Sequence, residues 1–213
     1  MEILLYFWDM LLHLDRHLAL LLQQYGVWVY PMLFAIVFCE TGLIVTPFLP
    51  GDSLLFVAGT LAATGGLDLG LLMLLLFIAA VLGDTVNYTV GNYFGAKVFS
   101  WEDSRFFNKS AFDKTHAFYE RHGGKTIVIA RFMPLIRTFA PFVAGVARMT
   151  YPRFLAFNII GGSLWVVSLV LAGYWFGNLP VVKDNLTWVI LGIVALSLLP
   201  LLIGYLRHRA GSS

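Results

Sequence analysis

Four ionisable residues interrupt apolar stretches of this sequence, and their chemistry is the first clue to what the chain does. Glu40 and Asp52 flank a break that contains proline and glycine, and Arg131 and Arg137 lie in a second break. A charged side chain in membrane hydrocarbon is costly, so such residues usually face protein or a water-filled cavity. Irregular backbone at membrane depth is likewise tolerated only where it is buried in protein or lines a cavity. The coincidence of charge and chain break therefore predicts a functional site.

The residue types in the two breaks suit an anion and a proton. Arginine keeps its proton, and its planar fork matches phosphate oxygens. A carboxyl group in apolar surroundings can take up a proton near neutral pH. We therefore predict that Arg131 and Arg137 form an anion-binding pair beside a proton-binding pair, Glu40 and Asp52. A buried ion-pair lock between two halves of the protein also fits, although buried pairs seldom improve on apolar packing.

Three further polar residues, Asp84, Asn87 and Asn158, lie within predicted spans and are candidate auxiliary site residues. Asp84 falls toward the inner end of its helix, where a packing role fits as well as a functional one, and Asn158 suits an interhelical hydrogen bond. The sequence has no ligand spacing typical of a metal site, no phosphate loop, no catalytic serine elbow and no basic groove. We expect no metal, no cofactor, no enzymatic activity and no nucleic acid partner.

Composition places the chain in a membrane. Of its 213 residues, 59% are hydrophobic and only 12% are charged, whereas soluble domains carry about 25% charged residues. The long apolar segments predict an all-α polytopic membrane protein with about four full transmembrane helices and two re-entrant broken-helix hairpins.

The predicted layout is a single membrane domain over residues 1–213. A polar stripe along residues 2–23 is typical of an amphipathic helix at the membrane interface. The remaining predicted parts are repeat unit 1 (30–95) with a re-entrant hairpin at 41–63, a cytoplasmic connector (96–123), repeat unit 2 (122–177) with a re-entrant hairpin at 124–147, and a final transmembrane helix (186–206). Because proline and glycine interrupt helices, the hairpin breaks are predicted at Pro47, Pro50, Gly51, Pro134 and Pro141.

The placement of lysine and arginine supports this layout through the positive-inside rule. If both broken segments return to the side from which they enter, eleven of the 14 Lys and Arg residues lie on the cytoplasmic side, two lie inside the second hairpin, and Lys183 alone lies opposite. If either segment crossed the membrane, this asymmetry would largely disappear. Both are therefore predicted to be re-entrant, with both chain termini in the cytoplasm. The eleven residues are Arg16, Lys97, Arg105, Lys109, Lys114, Arg121, Lys125, Arg148, Arg153, Arg207 and Arg209.

An internal repeat also supports the predicted layout with two hairpins. The sequence Phe-Val-Ala-Gly occurs at 56–59 and again at 142–145, each time after a proline-containing break. Downstream, the glycine- and aromatic-rich run at 91–95 is echoed at 173–177. With the two hairpins on opposite faces, the two units would be inverted in the membrane, which is typical of secondary transporters.

These motifs resemble those of the bacterial DedA family, which belongs to the VTT (SNARE-associated) superfamily, and the resemblance covers nearly the whole chain. It implies two facing re-entrant hairpins, a fold shared with eukaryotic lipid scramblases. It also implies that Glu40, Asp52, Arg131 and Arg137 are needed for function. The motifs are Glu40-Thr41-Gly42, Pro47-Phe48-Leu49-Pro50-Gly51-Asp52-Ser53, Gly83-Asp84, Arg131-Phe132-x-Pro134-x-x-Arg137-Thr138 and Ala144-Gly145.

The resemblance implies a location in the bacterial inner membrane and narrows the function. Some members of the family translocate undecaprenyl phosphate, and others are linked to pH tolerance and drug resistance that depend on the proton-motive force. We expect a proton-coupled transporter or flippase of an anionic lipid, with undecaprenyl phosphate as the leading substrate. Arg131 and Arg137 would bind the lipid phosphate, and Glu40 and Asp52 would couple its movement to protons. A passive phospholipid scramblase and a proton-coupled exporter of small cations or drugs are the alternatives. The motifs leave open the transported headgroup and whether the chain forms a homo-oligomer.

Overall fold

In a computed structural model, the described residues are 14–43, 51–99 and 124–177, with the isolated positions 179, 180, 182 and 192. All regular secondary structure within them is helical. Several predictions fall outside this part of the chain: the first half of the interfacial helix, Pro47 and Pro50, the connector beyond residue 99, and nearly all of the final span.

The helices follow the apolar segments closely. They are α1 (Leu14–Tyr25), a 3₁₀ turn (Gly26–Trp28), α2 (Val29–Gly42), α3 (Gly51–Ala63), α4 (Leu69–Phe99), α5 (described over residues 124–130), α6 (Pro134–Val146) and α7 (Tyr151–Phe176). Three segments are apolar and long enough to cross a membrane: Leu20–Gly42, Leu69–Phe94 and Tyr151–Phe176. The described part of the chain is therefore all-helical and contains three candidate membrane spans.

Two apolar helices, α3 and α6, are short. Each has 13 residues, and at about 1.5 Å per residue such a helix is about 20 Å long, less than the roughly 30 Å hydrocarbon core. This length suits the two predicted hairpins, whose re-entrant path stays a prediction, as does the fourth full span.

Glycine and proline mark several of the helix boundaries. Gly26, between α1 and α2, has a φ of +51°, and Gly65, between α3 and α4, has a φ of +79°; glycine adopts such angles without steric cost. Pro134 is the first residue of α6, where its missing N–H is not needed for the helix. Gly51 likewise is the first residue of α3.

The prediction of a break at Pro141 is wrong, because α6 continues through this residue to Val146. The chain is interrupted earlier, at the turn of Arg131 and Phe132. A proline is tolerated inside a membrane helix when neighbouring groups satisfy the carbonyl that loses its N–H donor. Pro141 is buried, so it packs against protein rather than lipid.

Helix α4 has one exposed face and one buried face, and its sequence differs between them. Its exposed large side chains recur every three or four residues, as expected for one helical face. The opposite face is buried and carries the polar residues Asp84 and Asn87. The exposed series, which suits lipid contact, is Leu71, Leu74, Ile78, Leu82, Val86 and Val90.

The chain divides into two compact units, one formed by residues up to Ile36, 48–76 and 166 onward, and the other by 37–47 and 77–165. In the first, α3 packs on the C-terminal part of α7, with Gly59 against the backbone of Val170 and Gly173 against the backbone of Phe56. A Cβ added at either glycine would collide with main-chain atoms.

The second unit repeats this crossing with α6 and α4. Gly145 lies against the backbone of Tyr88, and Gly91 lies against the backbone of Phe142. Each short helix thus packs on the long helix of the other predicted repeat, through the same Phe-Val-Ala-Gly motif. The core of the second unit continues around Tyr88, Ile127, Ala144, Ala147, Met149 and Phe154.

Candidate functional site

The site lies in the second unit and begins with Arg131, at the turn that follows α5. Its Nη2 donates to Asp84 Oδ2 on α4 at 2.6 Å and to the Ala80 carbonyl at 3.3 Å. Its Nη1 donates to the carbonyl and to Oδ1 of Asn158 on α7, both at 3.1 Å. Both members of the Arg131–Asp84 ion pair are about 3% exposed. A buried pair of this kind is retained only with additional hydrogen bonds, which Asn158 and Ala80 supply.

A second ion pair joins Arg137 on α6 to Glu40 on α2. Their side chains are 6% and 2% exposed. Glu40 lies in the last turn of α2 and Arg137 in the first turn of α6. Anions are favoured at helix N-termini and cations at C-termini, so each side chain lies at the less favourable end of its helix. The pair is therefore better explained by a site than by helix stability.

The indole ring of Trp165 connects the two arginines. The Cζ atoms of Arg131 and Arg137 lie 5.6 Å and 4.7 Å from its ring centroid. A cation over the face of Trp is stabilised by the ring quadrupole, most strongly where water is excluded. Trp165 is only 1% exposed, so it holds two guanidinium groups in one desolvated place.

Asn87 hydrogen-bonds to the backbone next to both members of the Glu40–Arg137 pair. Its Nδ2 donates to the carbonyl of Thr41 at 3.2 Å and to the carbonyl of Thr138 at 2.8 Å. These threonines directly follow Glu40 and Arg137 in the chain. One amide therefore ties the end of α2 to the start of α6.

Glycines make room for this arrangement. A Cβ on Gly42 would lie 3.2 Å from Gly83 Cα, so these two glycines let α2 approach α4 beside Glu40 and Asp84. A Cβ on Gly162 would lie 2.6 Å from Arg131 Nη1. Side chains at these positions would push the helices or the guanidinium out of place.

Some buried polar atoms of the site have no hydrogen-bond partner among the described residues. They are Asp84 Oδ1, Asn87 Oδ1 and Arg131 Nε. Buried polar groups are normally paired, so such atoms are candidates for contact with a ligand, a proton or water. Within the same described ranges, no group of three or more His, Cys, Asp or Glu could hold a metal ion.

The sequence predicted no particular pairs among the site residues, and the structure shows which of them lie together. It joins Glu40 to Arg137 and brings Asp84, predicted as auxiliary, into direct contact with Arg131. Asp52 is the second residue of α3, is half-buried and belongs to the other unit. Its predicted role beside Glu40 therefore stays a prediction.

Sequence reasoning missed Trp165 altogether. A signal was present, because Trp165 follows the predicted polar residue Asn158 by seven positions on one helix. That spacing places both side chains on the same face, two turns apart.

Comparison with known proteins places the chain in a family. The VTT domain model matches residues 49–175. Protein DedA of Escherichia coli K12 is 54% identical over 215 residues, covering 100% of this chain and 98% of that protein. The chain belongs to the DedA family of VTT-domain proteins. No solved structure matches it.

More distant relatives are also similar over most of the chain. An uncharacterized membrane protein of Mycobacterium tuberculosis H37Rv is 46% identical over 189 residues, which are 87% of this chain and 83% of the relative. The inner membrane protein YqjA of E. coli K12 is 38% identical over 154 residues, covering 71% and 69%. These names agree with the apolar helices in placing the DedA-family chain in a membrane.

Proposed function

We propose that this protein is a transporter, or flippase, that moves an anionic lipid across the bacterial inner membrane in a manner linked to the proton-motive force. Undecaprenyl phosphate is the proposed substrate, and transport rather than catalysis is the proposed activity. The observation that carries the proposal is the pair of buried arginines on one indole ring, each held by a carboxylate.

Charge balance links a phosphate to protons at this site. Two arginines and two ionised carboxylates sum to zero, and all four side chains are buried. Adding a phosphate would leave uncompensated negative charge in a low-dielectric place, which is costly. Proton uptake by a carboxyl group cancels one negative charge for each proton bound. Movement of the lipid headgroup through the site would therefore be accompanied by protons.

The two arginines would contact the phosphate in different ways. The terminal N–H groups of Arg131 already donate to Asp84, Asn158 and Ala80, so its Nε would be the donor to a headgroup. Arg137 would exchange Glu40 for phosphate, because phosphate and carboxylate compete for the same planar fork. Protonation of Glu40 would favour this exchange, and Asp52 would be the second proton-coupling group.

The experiment is lipid movement in liposomes that contain the purified protein. Fluorescent undecaprenyl phosphate would be compared with fluorescent phosphatidylglycerol, with and without a pH gradient. We expect gradient-sensitive movement of undecaprenyl phosphate, which Glu40→Gln and Arg137→Ala both abolish. Arg148→Ala, which removes an exposed arginine from the turn after α6, is the matched control and should move lipid like the wild type.

The alternative functions give different results in the same assay. Equal movement of both lipids that ignores the gradient would identify a passive scramblase and contradict the proposal. Movement of neither lipid would also contradict it and would favour an exporter of small cations, in which the carboxylates bind the substrate.

A further inference from the structure

We propose that Asp84 is a proton-binding site of the transport cycle, in which Oδ1 takes the proton while Oδ2 stays hydrogen-bonded to Arg131. The inference rests on the proposed function for its place in a transport cycle. It goes further in naming a proton-binding atom on α4, outside the two chain breaks in which the coupling acids were predicted.

The two oxygens of Asp84 have different surroundings. Oδ2 accepts from Arg131 Nη2 at 2.6 Å, whereas Oδ1 is buried and no donor among the described residues bonds to it. A protonated carboxyl group has one O–H donor and still accepts at the other oxygen. A proton can therefore bind Oδ1 without breaking the contact with Arg131.

Arg131 is held in place independently of the charge on Asp84. Three of its hydrogen bonds go to neutral acceptors, two on Asn158 and one on Ala80. Asn158 is itself fixed because its Nδ2 donates to the Val81 carbonyl at 3.1 Å. The face of Trp165 adds a further contact with the guanidinium. Protonation of Asp84 would thus leave Arg131 positive and in position.

The charged groups around Asp84 come from three other segments. Arg131 approaches from the turn after α5, and Arg137 on α6 lies on the same indole ring as Arg131. Glu40 on α2 balances Arg137, and α7 contributes the uncharged side chains of Asn158 and Trp165.

The change in charge on protonation supplies the link to a phosphate. One proton on Oδ1 forms an O–H bond and changes the summed charge of the four ionisable groups from zero to +1. A phosphate with a single negative charge would restore neutrality. Asp84 would therefore supply the one proton that balances a singly charged headgroup, and further negative charge would have to be balanced at other carboxyl groups.

Infrared difference spectroscopy of the protein in liposomes tests the proton site without any lipid substrate. A pH titration of the wild type should show a carboxyl C=O band that rises and falls with pH, and Asp84→Asn should remove that band. Asp68→Asn is the matched control, because Asp68 is exposed at the start of α4 and its Oδ1 accepts from Leu71 N. Asparagine serves equally well at such a helix start. The control should keep the band.

The transport arm uses fluorescent undecaprenyl phosphate in the same liposomes. We expect the ratio of rates with and without the pH gradient to exceed one in the wild type and in Asp68→Asn, and to fall to one in Asp84→Asn. Asp84→Glu, which restores a carboxyl group, should restore a titrating band and confirms that a folded variant is being compared.

The infrared experiment and the transport experiment together distinguish failure of this inference from failure of the proposed function. If the titrating spectrum of Asp84→Asn equals that of the wild type, Asp84 is not a proton site, whatever lipid moves. If the wild type moves no undecaprenyl phosphate but Asp84→Asn removes a titrating band, the proposed function is wrong and the proton site stands. An unchanged gradient response in Asp84→Asn would contradict its place in the cycle.

Discussion

Arg131 and Arg137 share one indole ring but have different surroundings, and this difference divides their roles. Arg131 donates to four acceptors on Asp84, Asn158 and Ala80. Arg137 is paired with Glu40 against the preference of both helix termini. A guanidinium held by several fixed acceptors supplies positive charge. A guanidinium whose partner can be exchanged can bind a headgroup. We assign the first task to Arg131, which keeps only its Nε to donate to a headgroup, and the second task to Arg137.

Trp165 gives a direct prediction at the residue scale. Trp165→Leu removes the aromatic face from two buried cations and leaves a smaller side chain in the core. We expect it to lower the free energy of unfolding in detergent by about 3 kcal/mol and to reduce movement of undecaprenyl phosphate in liposomes. Trp165→Phe, which keeps an aromatic face, should recover most of the movement.

The matched control for this prediction lies on the same helix. Trp175 is 63% exposed near the end of α7, so Trp175→Leu should change the free energy of unfolding by no more than about 0.5 kcal/mol. Equal effects of Trp165→Leu and Trp175→Leu would show that the shared indole ring has no special role.

The sequence alone identified most of the residues that the structure brings together in the second unit, but not their partners. Charges within apolar runs identify Glu40, Arg131 and Arg137, because hydrocarbon excludes such groups unless they are paired. The contact between Arg131 and Asp84 depends on how α4 is rotated relative to the turn after α5. A single sequence shows only that Asp84 lies on the buried face of α4, so this pairing required the structure.

At the scale of helices, the two glycine crossings explain how short helices are held in an apolar environment. Lipid tails are as apolar as leucine side chains, so membrane helices associate through close backbone packing at small residues. Gly59 and Gly173 provide this packing in one unit, and Gly145 and Gly91 provide it in the other. The repeated motif thus has a packing reason that needs no shared chemistry.

Gly91→Ala is the prediction that belongs to this scale. The added methyl group would collide with the carbonyl of Phe142, so α6 must shift on α4 and move Arg137 with it. We expect a loss of about 1–3 kcal/mol in the free energy of unfolding, measured by thermal unfolding in detergent.

Gly70→Ala tests whether that loss comes from the crossing. Gly70 lies in the first turn of the same helix, where the nearest atom to a Cβ would be Asp68 Oδ1 at 3.4 Å, an ordinary contact. Alanine should there raise the stability by up to about 1 kcal/mol, since it is the better helix former. If Gly91→Ala were equally harmless, the crossing at Phe142 would not be tightly packed.

Helix boundaries were predictable where turn chemistry is local. Gly26, Gly51 and Pro134 all mark helix ends or beginnings, as their backbone preferences indicate. Pro141 was misread, because whether a proline breaks a membrane helix depends on which neighbours satisfy its backbone. Which residues contact Pro141 depends on the tertiary structure and cannot be read from the local sequence.

For the whole molecule, composition and apolar length were enough to predict a helical membrane protein. The repeat was visible as two short motifs, and the structure shows that each makes the same kind of helix crossing. Each short helix packs on the long helix of the other predicted repeat. This exchange could not be predicted from the sequence, because both predicted repeats contain similar glycines. The cytoplasmic orientation of the termini stays a prediction from the placement of lysine and arginine.

The measurement that tests the account most directly is proton movement that accompanies lipid movement. Wild-type protein in liposomes with a pH-sensitive dye inside would be given fluorescent undecaprenyl phosphate on one side, with no imposed pH gradient. We expect the internal pH to change in proportion to the lipid moved, because a neutral buried site of two arginines and two carboxylates accepts a phosphate only with protons. Lipid movement without any change in internal pH would contradict the account and would make the carboxylates structural partners of the arginines.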